Sequence, residues 1–456
     1  MTSIDQLLVN FRDLVWGWPL LILLFLTGVI LTVMLRGLQI KYAGFALKQL
    51  FRRGEEHHEG DITHVEALMT SLAGAIGTGS IVGVATAITL GGLGAIFWMW
   101  VTALLGMATK YAESLLAVHY RRTGESGEII GGPMYYIEEG LGLKWLAVLF
   151  AFFAAIAAIG TGNLVQINSI AEAVQGAWGG PEWLSGIVIC AITGMVLIGG
   201  VKSIGRMASY LVPIMGLIYI GGGALVLALY FQKIPGAIGL ILQGAFQPQA
   251  AFGGFAGASV LYAIRMGVAR SVFSNEAGMG ISSIAQAAAK TDNPARQAMI
   301  SMCGALFSTL IVCTTTALVI AVTGSYGLTD ESGKMLSGAT LAMRAFQTGI
   351  PFGHQVVTIG LILFAFSTIV AWAYYGEKCA QYLLGDRVVP YYRVLYTLSI
   401  VPGAMLKMEL VWLVADITNG LMVLPNLIAL LLLSKVVVTE TKKFLKFEDQ
   451  QRLEQV

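Results

Sequence analysis

A chain of 456 residues that is 56% hydrophobic and only 12% charged is not a soluble globular protein, in which roughly 25% of the residues carry charge. The formal net charge of +2 gives no reason to expect a nucleic-acid partner. The four cysteines lack the paired spacing of a zinc site or a disulfide framework. The composition therefore predicts an all-α membrane protein that crosses the lipid bilayer many times.

In chain order, eleven apolar runs are long enough to cross about 30 Å of hydrocarbon, which predicts eleven transmembrane helices. The runs cover residues 16–36, 66–90, 93–118, 145–175, 183–200, 208–230, 252–286, 296–324, 354–384, 389–407 and 409–435. The first run lacks a small-residue cleavage site, so we expect it to remain as a transmembrane helix. The run at 252–286 exceeds the roughly 20 residues that one span needs, and the polar residues inside it favour a break.

Basic residues are shared unevenly between the loops on the two sides of the predicted spans. The poorer side carries only Arg12, Lys233, Lys334, Arg344 and Lys407. By the positive-inside rule, the richer side is cytoplasmic. We therefore expect a multi-pass plasma-membrane protein with its N-terminus outside and its C-terminus in the cytoplasm.

After the first span, the remaining ten spans divide into two groups of five. Because an odd number of spans reverses the orientation of the next group, they are predicted to form a 5+5 inverted repeat. The predicted segments are an extra helix and loop over 1–65, a first repeat over 66–230, a second repeat over 231–435 and a tail over 436–456. Each repeat opens with an interrupted apolar run.

The first interruption is Gly77-Thr78-Gly79-Ser80. Unwound backbone at membrane depth is tolerated only where protein buries it or where it lines a cavity, and matched breaks indicate a transporter's binding site. Free amides at the start of the second helical half would attract a carboxylate, and unpaired carbonyls around Ala73 and Ile76 would suit a hard cation. The alternative is that these glycines only permit close helix packing.

The second interruption is Phe273-Ser274-Asn275-Glu276-Ala277-Gly278, which places polar groups in an otherwise apolar stretch. The carbonyls of Phe273 and Ser274 are predicted to accept an ammonium group. Glu276 has two interpretations, as a structural acceptor for amides of the first break or as a titrating proton carrier.

Further polar residues fall inside the fourth and ninth spans. Gln166 can both donate and accept hydrogen bonds, so it either faces a substrate or joins two helices. The hydroxyls of Ser367 and Thr368, together with the Phe364 carbonyl, would complete a set of about five oxygens for Na⁺ with the carbonyls of the first break. The alternative is that these hydroxyls bond back to their own helix.

Charged and aromatic residues near the breaks suggest two more features. Arg265 or Arg270 is predicted to pair with Asp416 as an extracellular gate, because charges inside membranes tend to be paired. Trp372 follows the hydroxyls of the ninth span, and it either shapes a pocket or packs in the core.

Five motifs resemble the alanine/glycine:cation symporter family across residues 20–435. They are Gly77-Thr78-Gly79-Ser80, Ile81-Val82-Gly83-Val84-Ala85-Thr86-Ala87-Ile88, Gly94-Ala95-Ile96-Phe97-Trp98-Met99-Trp100, Gly131-Gly132-Pro133-Met134-Tyr135-Tyr136-Ile137 and Phe273-Ser274-Asn275-Glu276-Ala277-Gly278. The resemblance implies a LeuT-type fold and Na⁺-coupled uptake of small neutral amino acids by alternating access. The family pattern is Gly-Thr-Gly-Asn, and Ser80 replaces the asparagine with a shorter side chain. A larger neutral amino acid such as glutamine or serine is therefore an alternative substrate.

The same resemblance implies roles for individual residues. The expected substrate contacts are Thr78, Gly79, Ser80, Gln166, Phe273 and Asn275, and the expected Na⁺ ligands are Ala73, Ile76, Phe364, Ser367 and Thr368.

The sequence thus predicts a Na⁺-coupled carrier of small amino acids rather than an enzyme, since no catalytic set of residues is apparent. The rival functions are proton coupling through Glu276 or Glu113, and a channel. The expected partners are the amino acid and the bilayer, and the sequence leaves the oligomeric state open.

Overall fold

The protein is a helical bundle with one short β-hairpin in the part that the computed structural model describes, which is residues 3–50, 58–246, 260–330, 333–406 and 408–454. The helices up to residue 246 are α1 Ser3–Val15, α2 Trp18–Met34, α3 Leu38–Lys41, α4 Ala43–Gln49, α5 His64–Ala75, α6 Val82–Gly91, α7 Gly94–His119, α8 Pro133–Leu141, α9 Lys144–Ile159, α10 Val165–Trp178, α11 Glu182–Ile198, α12 Gly200–Leu229 and α13 Ile234–Phe246.

The later helices are α14 Val260–Asn275, α15 Ser283–Ala287, α16 Pro294–Ala305, α17 Thr314–Val322, α18 Gly338–Gly349, α19 Gly353–Leu384, α20 Val389–Leu398, α21 Ile400–Met405, α22 Met408–Leu432 and α23 Ser434–Glu454. Two π-helical segments, Gly160–Leu164 and Leu306–Cys313, join α9 to α10 and α16 to α17. Three 3₁₀ turns lie at Thr78–Ser80, Phe231–Lys233 and Asp386–Val388. The antiparallel hairpin pairs β1 Arg122–Thr123 with β2 Ile129–Ile130.

Six helical segments of the described chain are long and apolar enough to cross a membrane. They are Gln6–Met34, Lys144–Trp178, Gly200–Leu229, Pro294–Val322, Gly353–Leu384 and Val411–Leu432. The most apolar part of α19 is 72% buried, whereas that of α12 is 28% buried. Helix α19 therefore lies at the centre of the bundle and α12 at its periphery.

Both predicted runs are interrupted, but the second break begins at Glu276 and not at Phe273, because α14 continues through Asn275. Helix α5 ends at Ala75 and α6 begins at Val82, while α14 ends at Asn275 and α15 begins at Ser283. The start of the predicted run at 252–286, residues 252–259, lies outside the described residues, as does Lys407. Each of the eleven predicted runs contains helix.

Residues 436–454 of the predicted tail belong to a helix, α23, that packs on the bundle. Phe444 is fully buried, and the Tyr111 hydroxyl of α7 lies 2.8 Å from the hydroxyl of Thr441. Arg296 at the start of α16 pairs with Glu448 at 2.9 Å. Helices α1, α8, α13 and α18 were also not predicted, because they are short or amphipathic and hydropathy does not single them out.

The ends of α5 and α15 that point away from the breaks are joined to each other. Ile62 and Ala289 form a parallel β-bridge, and the Lys290 amide donates to the Ile62 carbonyl at 2.7 Å. The Arg121 guanidinium donates to the carbonyls of Ala289 at 2.8 Å and Glu59 at 3.0 Å. One arginine thus bonds to the chain on both sides of this junction.

Candidate functional site

The first unwound segment meets the end of α14, immediately before the second break. A Cβ placed on Gly79 would lie 2.6 Å from the ring of Phe273, so only glycine allows this approach. The hydroxyls of Ser80 and Ser274 are 3.2 Å apart, and both residues are fully buried. The prediction that the two breaks come together is therefore confirmed.

The first break leaves helical geometry at Ile76 and Gly77. Gly77 is extended, with φ −117° and ψ −153°, and a single 3₁₀ turn over Thr78–Ser80 leads into α6. A Cβ on Gly77 would lie 2.5 Å from the hydroxyl of Thr368 and 3.2 Å from the side-chain oxygen of Gln166. The missing side chain at Gly77 therefore lets α10 and α19 approach the unwound backbone.

Four oxygens from α5 and α19 form a compact cluster beside the first break. The Ser367 hydroxyl donates to the carbonyls of Ala73 at 3.2 Å and Phe364 at 2.8 Å. The Thr368 hydroxyl lies 3.0 Å from each of the same two carbonyls. These residues are the predicted cation ligands, except that no hydrogen bond of the described chain brings the Ile76 carbonyl into the cluster. The arrangement offers two carbonyls and two rotatable hydroxyls to a hard cation.

Gln166 connects the first break to the π-helical segment before α10. Its side-chain oxygen accepts a hydrogen bond from the Thr78 amide at 3.3 Å, and its nitrogen donates to the Thr161 carbonyl at 3.1 Å. A π-helical segment releases backbone groups from the regular helical pattern and is frequent at functional sites. Gln166 therefore binds backbone groups that the two irregular segments leave free.

The second break has left-handed backbone at three positions. Glu276 has φ 60°, while Gly278 and Gly280 have φ 90° and 74°. A non-glycine residue in this region is uncommon, and such strain concentrates at functional sites. These residues join α14 to α15.

Helix α7 supplies charged partners for both ends of the second break. The Lys110 ammonium donates to the Asn275 carbonyl at 2.7 Å, where α14 ends. One oxygen of Glu113 accepts hydrogen bonds from the amides of Gly278 at 2.9 Å and Gly280 at 3.0 Å. The positive charge of Lys110 thus faces the carbonyl end of α14, and the negative charge of Glu113 faces the free amides before α15, as helix dipoles favour.

The side chain of Glu276 extends from the second break towards α5 and the first break. It is 1% exposed, and its carboxylate approaches Gly74 so closely that a Cβ there would lie 3.4 Å from Oε1. Neither carboxylate oxygen has a hydrogen-bond partner of standard geometry in the described chain. Glu276 therefore reaches the first break, as predicted, but it does not bind the amides there.

Two predicted substrate contacts bond to nearby backbone. The Asn275 side chain accepts from the Ala277 amide at 2.9 Å and donates to the Ser271 hydroxyl at 3.1 Å. The Trp372 indole donates to the Gly74 carbonyl at 3.3 Å. Both residues lie at the breaks, and their contact with substrate stays a prediction.

The three predicted gate residues, Arg265, Arg270 and Asp416, line one cavity of about 200 Å³. The ion-pair partner of Arg265 is Asp13 of α1, at 3.2 Å. The guanidinium of Arg270 lies over the ring of Phe273, 6.0 Å from its centre. The cavity thus leads to the second break, and a gate formed with Asp416 stays a prediction.

Lys110 is the residue at this site that the sequence analysis missed. It is 1% exposed and lies three positions before Glu113 in the third predicted span. An ionisable residue inside a transmembrane run indicates a functional site by itself, so the signal was present.

The chain matches, over residues 1–456, a family model described as the sodium:alanine symporter family. It is 50% identical over 441 residues to the sodium/alanine symporter AgcS of Methanococcus maripaludis, with 95% of each chain covered. It is 36% identical over 434 residues to the probable sodium/glutamine symporter GlnT of Bacillus subtilis, covering 95% of this chain and 89% of that one.

Among solved structures, the chain resembles MhsT in complex with L-phenylalanine. The TM-score is 0.61 at 14% identity, and the match covers 84% of this chain and 93% of MhsT. At this identity the likeness shows the fold alone, which is the LeuT-type fold.

Proposed function

The chain belongs to the sodium:alanine symporter family, and on that premise we propose that it imports alanine or glycine together with Na⁺. Members of this family are multi-pass membrane carriers of amino acids, so the chain is a transporter and not an enzyme. Na⁺ and the amino acid are both cargo in this proposal.

The oxygen cluster between α5 and α19 is the observation that carries the proposal. Unwound carbonyls beside a helix break are typical Na⁺ ligands in carriers built from inverted repeats. The hydroxyls of Ser367 and Thr368 donate to carbonyls in the cluster, and they would rotate to present lone pairs to an ion. The carbonyls of Ala73, Phe364 and Ile76 would supply the other ligands.

The amino acid would lie where the two breaks meet. The Thr78 amide is held by a side chain and not by the helix, so a carboxylate can compete for it. Gly79 and Ser80 would contact the same carboxylate, while Phe273 and Asn275 would line the ammonium side. Because both ends of a zwitterion are matched by backbone dipoles, the site suits neutral amino acids.

Substrate size is the open part of this proposal. Ser80 replaces the longer asparagine of the family pattern, and its hydroxyl contacts Ser274, which lies 2.9 Å from the Cys313 sulfur. The shorter side chain of Ser80 would suit a larger substrate, and the name of GlnT supports glutamine as the second candidate. Serine is a further candidate of similar size to alanine.

The proposed architecture has eleven spans, ten of them in a 5+5 inverted repeat over 66–230 and 231–435. Support comes from the two breaks, each of which lies in the first span of its repeat. The segment at 1–65 would add one span, with the N-terminus outside and the segment at 436–456 in the cytoplasm. Alternating access would then expose the breaks to one side at a time.

Uptake by the purified chain in proteoliposomes tests the proposal. We expect saturable, concentrative uptake of labelled alanine and glycine that requires an inward Na⁺ gradient. Uptake driven equally well by a proton gradient without Na⁺ would favour coupling through Glu276 or Glu113, and non-saturable flux would indicate a channel. Competition by glutamine and serine measures the substrate range.

Replacing Gln166 with leucine is expected to lower alanine uptake by about 10-fold or more, because each buried polar group left unpaired costs about 1–3 kcal/mol. The change removes the partners of the Thr78 amide and the Thr161 carbonyl. Gln175→Leu, at an exposed position of α10, is the matched control. Equal uptake by the two variants would contradict the role of Gln166.

A further inference from the structure

The second break is held by one face of α7. Lys110 and Glu113 are three residues apart, so their side chains project from the same side of the helix. Lys110 binds the Asn275 carbonyl and, at 3.0 Å, the hydroxyl of Ser282, which lies just before α15. The ammonium group therefore bridges the two helical halves across the break.

Lys110 also balances buried negative charge. Lys110, Glu113 and Glu276 are each at most 1% exposed. The ammonium binds the carbonyl of Asn275, the residue before Glu276, and Glu113 lies one turn along α7, so the buried opposite charges are close to one another. Glu113 has the amides of the break and the side-chain nitrogen of Asn426, at 2.8 Å, as further partners. Glu276 has no hydrogen-bond partner of standard geometry in the described chain, so its charge depends most on Lys110.

We propose that Lys110 is a positioning residue for the amino acid site, which keeps Phe273 and Asn275 in place by bridging the second break and by compensating the charge of Glu276. This inference rests on the proposed function. The cation cluster lies between α5 and α19 and does not include α7, so Lys110 acts on the amino acid more than on Na⁺.

The binding affinities for alanine and for Na⁺, measured separately, distinguish this role from general support of the fold. Loss of Lys110 leaves an uncompensated carboxylate and an unpaired carbonyl at the end of α14, which displaces the residues that line the amino acid. A defect of the whole fold would weaken the binding of Na⁺ and alanine together.

The experiment uses the full chain, with Na⁺ binding measured without alanine and alanine binding measured at saturating Na⁺. For Lys110→Met we expect alanine affinity to fall by about 10-fold or more and Na⁺ affinity not to fall, because the uncompensated Glu276 carboxylate lies beside Gly74, next to the proposed Na⁺ ligand Ala73. In the double variant Lys110→Met/Glu276→Gln, both charges are gone. Alanine affinity should then rise at least about threefold above that of Lys110→Met, because the uncompensated charge is gone while the Asn275 carbonyl stays unpaired.

Lys378→Met is the matched control. Lys378 is also buried, at 3% exposed, but it pairs with Glu128 at 2.9 Å, away from both breaks, so its loss should leave alanine affinity unchanged. The inference is overturned if Lys110→Met binds alanine as well as this control, or if the double variant is as impaired as the single one.

If Lys110→Met fails to fold, the double variant still tests the inference. A folded double variant that binds alanine supports charge compensation, and an unfolded one overturns it. Absence of alanine binding in the unmodified chain would instead count against the proposed function, which separates the two failures.

Discussion

Replacing Gly77 with alanine is expected to reduce Na⁺-driven uptake of alanine strongly. The added Cβ would lie 2.5 Å from the Thr368 hydroxyl and 3.2 Å from the Gln166 oxygen. Neither side chain can move away without losing a hydrogen bond to a backbone group at the first break. The φ of Gly77 is −117°, which alanine adopts readily, so the effect comes from contact and not from backbone strain.

The magnitude of this effect follows from overpacking. Inserting one methyl group into a fully packed interior costs about 1–3 kcal/mol, which corresponds to about 5- to 150-fold in affinity. Because the methyl group disturbs Thr368 and Gln166 together, we expect both cargoes to bind more weakly. Initial rates of uptake at several Na⁺ and alanine concentrations measure the two effects separately.

Gly176→Ala provides the control for Gly77→Ala. Gly176 lies in α10, and a Cβ there would meet nothing within 4 Å, so uptake should be unchanged. Normal uptake by Gly77→Ala would show that the unwound segment has room for a side chain and would contradict the packing described here.

Removing the hydroxyls of Ser367 and Thr368 is expected to produce the second large effect. Each alanine substitution deletes one oxygen of the proposed Na⁺ site, so the Na⁺ concentration for half-maximal uptake should rise by about 10-fold for one change and by about 100-fold for both. High Na⁺ should restore much of the uptake, because the amino acid contacts remain. A Na⁺ titration of alanine uptake measures this shift.

Thr358→Ala is the matched control for these substitutions. Thr358 is fully buried in the same helix, α19, but its hydroxyl bonds to the His354 carbonyl of that helix at 2.9 Å. The Na⁺ dependence should be unchanged in this variant. An unchanged Na⁺ dependence in the Ser367 and Thr368 variants as well would place the ion elsewhere and favour proton coupling.

The breaks and the hydroxyl cluster could be predicted because their signals are local. Glycines beside Thr78 interrupt an apolar run, and Ser367 and Thr368 stand out on the apolar face of their helix. The contact between the two breaks could be inferred because matched breaks in the two repeats of a transporter line one binding site. The hydrogen bond between Gln166 and Thr78 joins residues 88 positions apart, and only the structure supplies that pairing.

The ion pair of Arg265 was harder to predict, because its partner lies on a helix that the sequence does not single out. Arg265 pairs with Asp13, whose helix α1 is amphipathic and precedes the first apolar run. Asp416 was predicted as the partner only because it is an acidic residue inside the last predicted span. The choice between two carboxylates depends on helix packing, which composition does not reveal.

The junction at Ile62 and Ala289 has a consequence for how such a carrier works. The bridge between these residues and the bonds from Arg121 tie α5 to α15, so these halves of the two broken helices are mechanically coupled. When one half swings away from the centre, the other must follow or the junction must separate. A path to the site on this side would therefore open by a joint displacement of both halves.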